Sequence, residues 1–358
     1  SPYFFMPPSG DTASRPESCA AGTLRFNTDI GTLEIFKGDT IGWEQIQRRE
    51  GQYLGGTPAS NNPLGGIGTR ALFFGRAEPS ITNRTDFFTI STLGKAQDFG
   101  DMNGNGYTYS TAASSTRGFV AGGAPGHANM IDFFTFASTG DATDTGNLTS
   151  SRWLMGGGCS DSTRAIFTGG SGFPSNTVVN TLDYITMASG GDAVDFGDQT
   201  TGRRMQASVN SSTRGVWAGG YSPFDGTNLI DYVTISSTGD AVDFGDLTRA
   251  NREGAGVCNA TRGIFMGGSP APTRNVIDYI TIASTGNATD FGFMSFDARS
   301  HGSASSPVRG VAGGGLAPGN TNVLEFIAIA TTGNAQDFGD LSAAGHNVGG
   351  TSNGHGGL

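Results

Sequence analysis

The sequence is poor in cysteine, in long apolar runs and in basic charge. Its three cysteines, Cys19, Cys159 and Cys258, are widely spaced, so they suggest no disulfide or zinc framework, and we expect three buried thiols. No apolar run approaches the roughly 20 residues that span a bilayer, so membrane insertion is not expected. The chain has 21 basic and 31 acidic residues, and its net charge of −10 argues against nucleic acid as a partner.

Motifs for catalysis and metal binding are missing as well. The four histidines have no partners at zinc spacing, and the sequence has neither a G-x-S-x-G elbow nor a P-loop. Asp192, Asp195 and Asp198 lie at i, i+3 and i+6, which is not the spacing of a calcium loop. We therefore predict no catalytic residues, no metal and no cofactor. A polysaccharide-cleaving enzyme stays open as the alternative, because its two carboxylates can come from different strands and leave no local motif.

Glycine is abundant, with 59 residues, and much of it belongs to an internal repeat. The stretch "STRGVWAGG" recurs with its arginine 47, 47, 50, 48 and 47 residues apart along the chain. The six arginines at this position are Arg70, Arg117, Arg164, Arg214, Arg262 and Arg309. A period of this length indicates a repeat architecture in which each copy is one structural unit.

Each repeat has the composition of short β-strands. After the glycine pair comes a variable polar loop, then a run such as "IDYVTISS", a "TGDA" turn and a "VDFGDL" segment. These runs are rich in Val, Ile, Phe, Tyr and Thr, are bounded by turn residues, and alternate apolar with polar positions. The pattern predicts about four strands per repeat, almost no helix, and an all-β fold.

The repeat resembles the kelch family, whose members form β-propellers of about 50 residues per blade. The resemblance covers roughly residues 65–358 and is carried by the glycine pairs and the "DY" strand; the "DFG" phenylalanine stands where kelch repeats have a tryptophan. The resemblance implies a kelch-like β-propeller, and the six copies predict six blades, with seven as the alternative if the N-terminal segment supplies the rest. The tail at 343–358 aligns with the opening of a repeat, so we expect it to supply a strand that completes the first blade.

The N-terminal segment lacks the repeat. Residues 21–46 predict two strands around a "DIG" turn and a third strand with Trp43, after a Pro/Ser-rich arm. The segment resembles a short connector module of bacteriophage tail fibres, on Arg25, Asn27, Thr28, Asp29, Gly31, Leu33, Glu34, Gly38 and Trp43. We therefore predict a β-hairpin connector module in residues 1–50 and the propeller in residues 51–358.

The six repeat arginines are predicted to be structural, because six equivalent residues cannot all form one active site. Each would form an ion pair or a set of carbonyl hydrogen bonds. The candidate partners for the ion pair are Asp183, Asp231 and Asp278 of the "DY" strands or Asp195, Asp243 and Asp290 of the "DFG" segments.

Recognition is predicted in the loops after the glycine pairs, since variable loops on a rigid scaffold tend to carry it. The candidate binding residues are Phe173, Tyr221, Phe224, Asp225 and Asn228. The three aromatic rings among them would stack on sugars.

Together with the tail-fibre resemblance, these features predict a non-enzymatic structural protein of a virion, located in a tail or fibre appendage. Its predicted partners are other virion proteins or a host-surface glycan, and the resemblance implies a homotrimer. The alternatives are a secreted or surface propeller enzyme acting on polysaccharide and an intracellular kelch-like adaptor.

Overall fold

The computed structural model describes residues 7–16, 18–29, 32–39, 42–45, 69–77, 80–125, 129–172, 174–222, 225–270 and 275–358. Within these ranges the secondary structure is entirely β, without a helix and therefore without a helical membrane span, so the predicted all-β class is confirmed. The chain divides into two compact units, Ser1–Gly66 and Ile67–Leu358. Residues 46–68 lie outside the described ranges, so the boundary at residue 50 stays a prediction.

The first unit contains one four-stranded sheet, with its strands in chain order: Ser9–Gly10, Leu24–Asn27, Thr32–Phe36 and Trp43–Gln45. The first pair is parallel and the other two are antiparallel. The side chain of Glu34 is fully buried and accepts hydrogen bonds from Arg15 and from Asn27. Three strands were predicted here; the fourth, Ser9–Gly10, falls in the segment that was predicted to be a linker or extended arm.

In the described part of the second unit, six antiparallel sheets follow one another along the chain, and we number them 1 to 6. Each has an inner, a second, a third and an outer strand, hydrogen-bonded in that order. The strands of sheets 1 to 3 are, in that order, Gly349–Ser352, Arg70–Arg76, Thr82–Thr89 and Gln97–Asp101; Ser110–Ala113, Arg117–Ala121, Met130–Thr135 and Thr143–Asn147; and Cys159–Ser160, Arg164–Thr168, Thr181–Thr186 and Val194–Asp198.

The strands of sheets 4 to 6 are Ala207–Asn210, Arg214–Ala218, Asp225–Thr234 and Val242–Asn251; Ala255–Cys258, Arg262–Met266, Val276–Thr281 and Thr289–Phe293; and Gly302–Ser305, Arg309–Gly313, Val323–Ala328 and Gln336–Asp340. Short strands at Arg152–Trp153, Ser171–Gly172, Tyr221–Ser222, Leu316–Ala317 and Gly319–Asn320 flank them. The prediction of about four strands per repeat is thus confirmed.

The inner strand of sheet 1 comes from the far end of the sequence. Gly349–Ser352 pairs antiparallel with Arg70–Arg76, so that Gly349 lies opposite Phe74 and Ser352 opposite Ala71. The tail therefore supplies the strand that was expected of it.

The apolar core lies between successive sheets. Each second strand is a nearly continuous buried run, with side chains packed on both sides. One cluster joins Val257 of sheet 5 to Ile327 of sheet 6, and another joins Val311 of sheet 6 to Phe73 of sheet 1. Because each sheet buries one face against the sheet before it and one against the sheet after it, a single repeat could not form this core alone.

The "DFG" and "TG" glycines bring neighbouring sheets into backbone contact. Gly245, on the outer strand of sheet 4, has φ +143°, and a Cβ placed there would lie 2.5 Å from the carbonyl oxygen of Gly286 in sheet 5. In return, Gly286 N–H donates to the carbonyl of Phe244 at 2.7 Å. The same hydrogen bond recurs at each junction, including that from Gly94 of sheet 1 to Phe338 of sheet 6. Because these glycines have no Cβ, the backbones of neighbouring sheets can approach closely enough to form a hydrogen bond.

Candidate functional site

The repeat arginines tie each sheet to the next one along the chain. From each arginine, Nη1 donates to a carbonyl oxygen just after the third strand of the following sheet, at 2.6–3.2 Å. In order from Arg70 to Arg309, the accepting residues are Phe136, Met187, Ile235, Ile282, Ile329 and Ile90. The guanidinium also lies 4.5–5.2 Å from an aromatic ring centroid of its own sheet, which adds a cation–π contact.

The carboxylates proposed as partners of these arginines have other neighbours. Asp183 and Asp231 are fully buried and form ion pairs with Arg152 and Arg203, which are equally buried. Thr149 and Thr200, from the loop that follows the preceding sheet, also donate to these two aspartates. Among the described residues no repeat arginine forms an ion pair with either set of candidate aspartates, so the predicted ion pairs are wrong; of the two alternatives, the structure shows the carbonyl hydrogen bonds.

Asp278 lies in the same position of sheet 5 and accepts a hydrogen bond from Thr248. Burial raises the pKa of Asp278, and the nearby Arg249 only partly offsets this. Sequence reasoning missed Arg152, Arg203 and Arg249 because their spacing is not constant. They follow the threonine that donates to the buried aspartate by three, three and one residues, respectively.

The six inner strands line a common cavity of about 130 Å³. This space holds several water molecules, at about 30 Å³ of liquid volume each, but is smaller than typical ligand pockets of about 300–1,000 Å³.

One end of the cavity, which we call the mouth, is framed by six non-glycine residues with φ of 50–60°: Thr108, Leu154, Met205, Glu253, Ser300 and Asn347. Backbone hydrogen bonds link them from one repeat to the next, as from Glu253 N–H to the carbonyl of Met205 at 2.9 Å and from Asn347 N–H to that of Ser300 at 2.7 Å. Because the left-handed backbone recurs in every repeat, we assign it to this framework and not to a single strained site.

The other end is filled by residues 353–358. His355 lies among inner-strand residues of three sheets, with Nε2 2.9 Å from the carbonyl of Ala113 and 3.2 Å from Ser160 Oγ. Its Nδ1 lies 3.1 Å from the amide nitrogens of Asn210 and Gly357, which are both donors, so the neutral ring carries its proton on Nε2. Burial lowers the pKa of His355 to about 4.

The residues that directly precede the mouth framework are not the same in all repeats: they are Tyr107, Trp153, Arg204, Arg252, Arg299 and His346, so three of the six are arginine. Four of them form isolated bridges with the first residue after a glycine pair or triple, as Arg204 does with Tyr221. The variable loops thus begin beside the mouth.

The residues that were predicted to bind in the loops lie in different environments. Tyr221 lies between two cations, with the Arg204 and Arg252 guanidinium carbons 5.0 Å and 4.3 Å from its ring centroid. Asp225 is exposed and forms an ion pair with Arg252, whereas Asn228 is exposed on the third strand of sheet 4. Phe173 and Phe224 lie outside the described residues.

The cysteines differ in their burial. Cys159 and Cys258 are buried as expected and burial raises the pKa of each thiol, but Cys19 is only partly buried, so the prediction of three buried thiols is wrong at that position. Among the described residues, no three His, Cys, Asp or Glu side chains come close enough together to hold a metal ion.

No family model matches this chain, and no curated protein matches it either.

Proposed function

We propose that residues 67–358 form a closed six-bladed β-propeller. What supports this is that three kinds of contact that join successive sheets also join sheet 6 to sheet 1. Arg309 donates to the carbonyl of Ile90, Gly94 donates to that of Phe338, and the Ser342 hydroxyl donates to Asp86. Electron micrographs of the isolated protein should show top views with six equal lobes around a centre. Seven lobes or an open arc would contradict the proposal.

We further propose that the propeller is a non-enzymatic recognition module, and that its mouth and the adjoining loops bind a glycan. The observation that carries this is a contrast between the frame and the mouth. The frame repeats, since glycines, arginines and buried carboxylates recur at equivalent positions. The mouth repeats only in part, since its six equivalent positions carry a tyrosine, a tryptophan, three arginines and a histidine. Differences placed on a rigid frame are typical of recognition surfaces.

The setting that we propose is a tail or fibre appendage of a virion, on the resemblance of the N-terminal module to tail-fibre connectors. In that setting the module would join the propeller to other virion proteins in a homotrimer. Several copies on one particle would then turn weak glycan contacts into firm attachment. Sedimentation of the full chain tests the oligomer, since a monomer at micromolar concentration would contradict the trimer.

A glycan array with the purified chain tests recognition. We expect binding to a subset of glycans, and at least tenfold weaker binding for Tyr221→Ala. Leu93→Ala is the matched control, because Leu93 is 60% exposed on a turn remote in sequence from the mouth. Equal binding by the wild type and Tyr221→Ala would contradict the placement at the mouth. The same incubations followed for released reducing ends test the enzyme alternative, for which we expect no release.

A further inference from the structure

Three consecutive repeats place an arginine at the mouth: Arg204, Arg252 and Arg299. In a chain with a net charge of −10, cations at three neighbouring equivalent positions form an unusual local surface. The side chains of Arg252 and Arg299 are 18% and 30% exposed, so their guanidinium groups are held in place and remain reachable from solvent.

A continuous set of contacts fixes these three guanidiniums. The Tyr221 ring joins Arg204 to Arg252, and Arg204 Nη1 also donates to Ser171 Oγ at 3.3 Å. Glu253 joins the other two, with its carboxylate 3.9 Å from Arg252 Nε and 3.0 Å from Arg299 Nη1. The Ser300 hydroxyl also donates to Glu253. Arginines that are held in advance lose less conformational entropy when they bind a ligand.

The two carboxylates in this cluster have different roles. The side chain of Glu253 is 5% exposed and accepts hydrogen bonds from Arg299 and Ser300, so it belongs to the frame. The side chain of Asp225 is 81% exposed, and its ion pair is with Arg252 alone among the described residues. An exposed ion pair of this kind is worth little, so another carboxylate can displace it. Asp225 thus occupies the place on Arg252 that a ligand carboxylate would take.

The Tyr221 ring has less surface for a sugar than the sequence suggested. Two guanidinium groups already lie over it, so its part is to hold cations instead of stacking on a neutral saccharide. The guanidinium fork, in contrast, matches a carboxylate with two parallel hydrogen bonds. The cluster therefore favours an anionic saccharide over a neutral one.

We propose that the mouth binds an acidic saccharide that bears carboxylates, of the uronic-acid class, through Arg204, Arg252 and Arg299, and that Asp225 competes with it. This inference rests on the proposed glycan recognition and adds the chemical class of the ligand.

Titration calorimetry on the full chain tests the proposal with three polymers: polygalacturonate, its methyl ester and neutral dextran. We expect polygalacturonate to bind at low salt and to bind at least tenfold more weakly at 0.5 M NaCl, because salt screens exposed charges. The ester and dextran should not bind measurably.

Substitutions then assign the contact. Arg204→Gln and Arg252→Gln should each weaken polygalacturonate binding at least fivefold, whereas Asp225→Asn should strengthen it about threefold. Lys95→Gln removes a cation that is 82% exposed outside the cluster and serves as the matched control. Thermal unfolding of each variant checks its fold, and Asp225→Asn gives a gain that misfolding cannot produce.

Each remaining outcome also decides the question. If polygalacturonate and its ester bind equally, or if Asp225→Asn does not strengthen polygalacturonate binding, the assignment to acidic saccharides is overturned but glycan recognition is not. Tighter binding of dextran sulfate than of polygalacturonate would overturn the carboxylate assignment, and equal binding of duplex DNA would overturn saccharide specificity. If the chain binds none of these polymers and no glycan on the array, both proposals fail.

Discussion

Replacing Gly245 by alanine tests the backbone contact between neighbouring sheets. Two terms oppose the substitution. Gly245 has φ +143°, a conformation that costs a non-glycine residue about 1–3 kcal/mol. Its new Cβ would also lie 2.5 Å from the Gly286 carbonyl oxygen and 2.6 Å from the carbonyl carbon, so backbone would have to move, at about 1–3 kcal/mol. We expect a total loss of about 2–6 kcal/mol in the free energy of unfolding.

The partner glycine provides the control. Gly286 has φ +151°, but no atom lies within 4 Å of a Cβ built there, so Gly286→Ala contains the conformational cost alone. Thermal unfolding followed by circular dichroism should place Gly245→Ala about 2–6 °C below Gly286→Ala, at about 2 °C per kcal/mol for a unit of this size. Equal midpoints for the two variants would refute the steric part of the reasoning, and a wild-type midpoint for Gly286→Ala would refute the conformational part.

Three further variants probe the arginine ties, the buried ion pairs and the cavity plug. Arg214→Met loses a 2.9 Å hydrogen bond to the Ile282 carbonyl and a cation–π contact, so denaturant unfolding should show a loss of about 2–4 kcal/mol. Asp183→Asn leaves the guanidinium of Arg152 buried without its carboxylate and should cost about 3–5 kcal/mol in the same assay. The pKa of His355 is lowered to about 4, so the unfolded chain binds a proton between about pH 6.5 and 4 that the folded chain does not, and stability falls as the pH drops through this window. His355→Gln should flatten that fall by about 1.4 kcal/mol per pH unit.

For each of these three variants, one outcome would contradict the prediction. Wild-type stability in Arg214→Met would remove the arginine ties from the frame. A loss in Asp183→Asn no larger than that in a variant of the exposed Lys37–Glu44 pair would contradict the buried ion pair. An unchanged pH profile in His355→Gln would place the acid sensitivity elsewhere, His301 being the next candidate because burial lowers its pKa to about 4 as well.

The repeat, its number of strands and the tail strand could be predicted because they depend on local pattern. Each strand is bounded by its own turn residues, and six copies make the alignment plain. The partners of the arginines could not be predicted in the same way. The hydrogen bond of Arg214 ends at Ile282, 68 residues further along, and its acceptor is a backbone carbonyl that no side-chain motif marks.

The site was predicted only in outline. Recognition by the loops stays a prediction; of the residues predicted for it, Tyr221 and Asp225 lie beside the mouth. Arg204, Arg252 and Arg299 each lie ten residues before a repeat arginine, so the sequence alone marks them as equivalent; they were missed because recognition was predicted only in the loops after the glycine pairs. The structure adds that each of the three forms a backbone bridge with the first residue after a glycine pair or triple.

The inner strand of sheet 1 is synthesised after all the other described strands of the second unit, and this affects how the unit assembles. Sheets 2 to 6 find their inner strand just before their second strand, whereas sheet 1 must wait for residues 349–352. During synthesis, one edge of Arg70–Arg76 stays unpaired until most of the other sheets have emerged. An unpaired edge accepts any strand of the right pattern, including the same segment of a neighbouring chain. Crowded nascent chains would therefore exchange this strand, and swapped dimers are the misassembly to look for when the protein is overproduced.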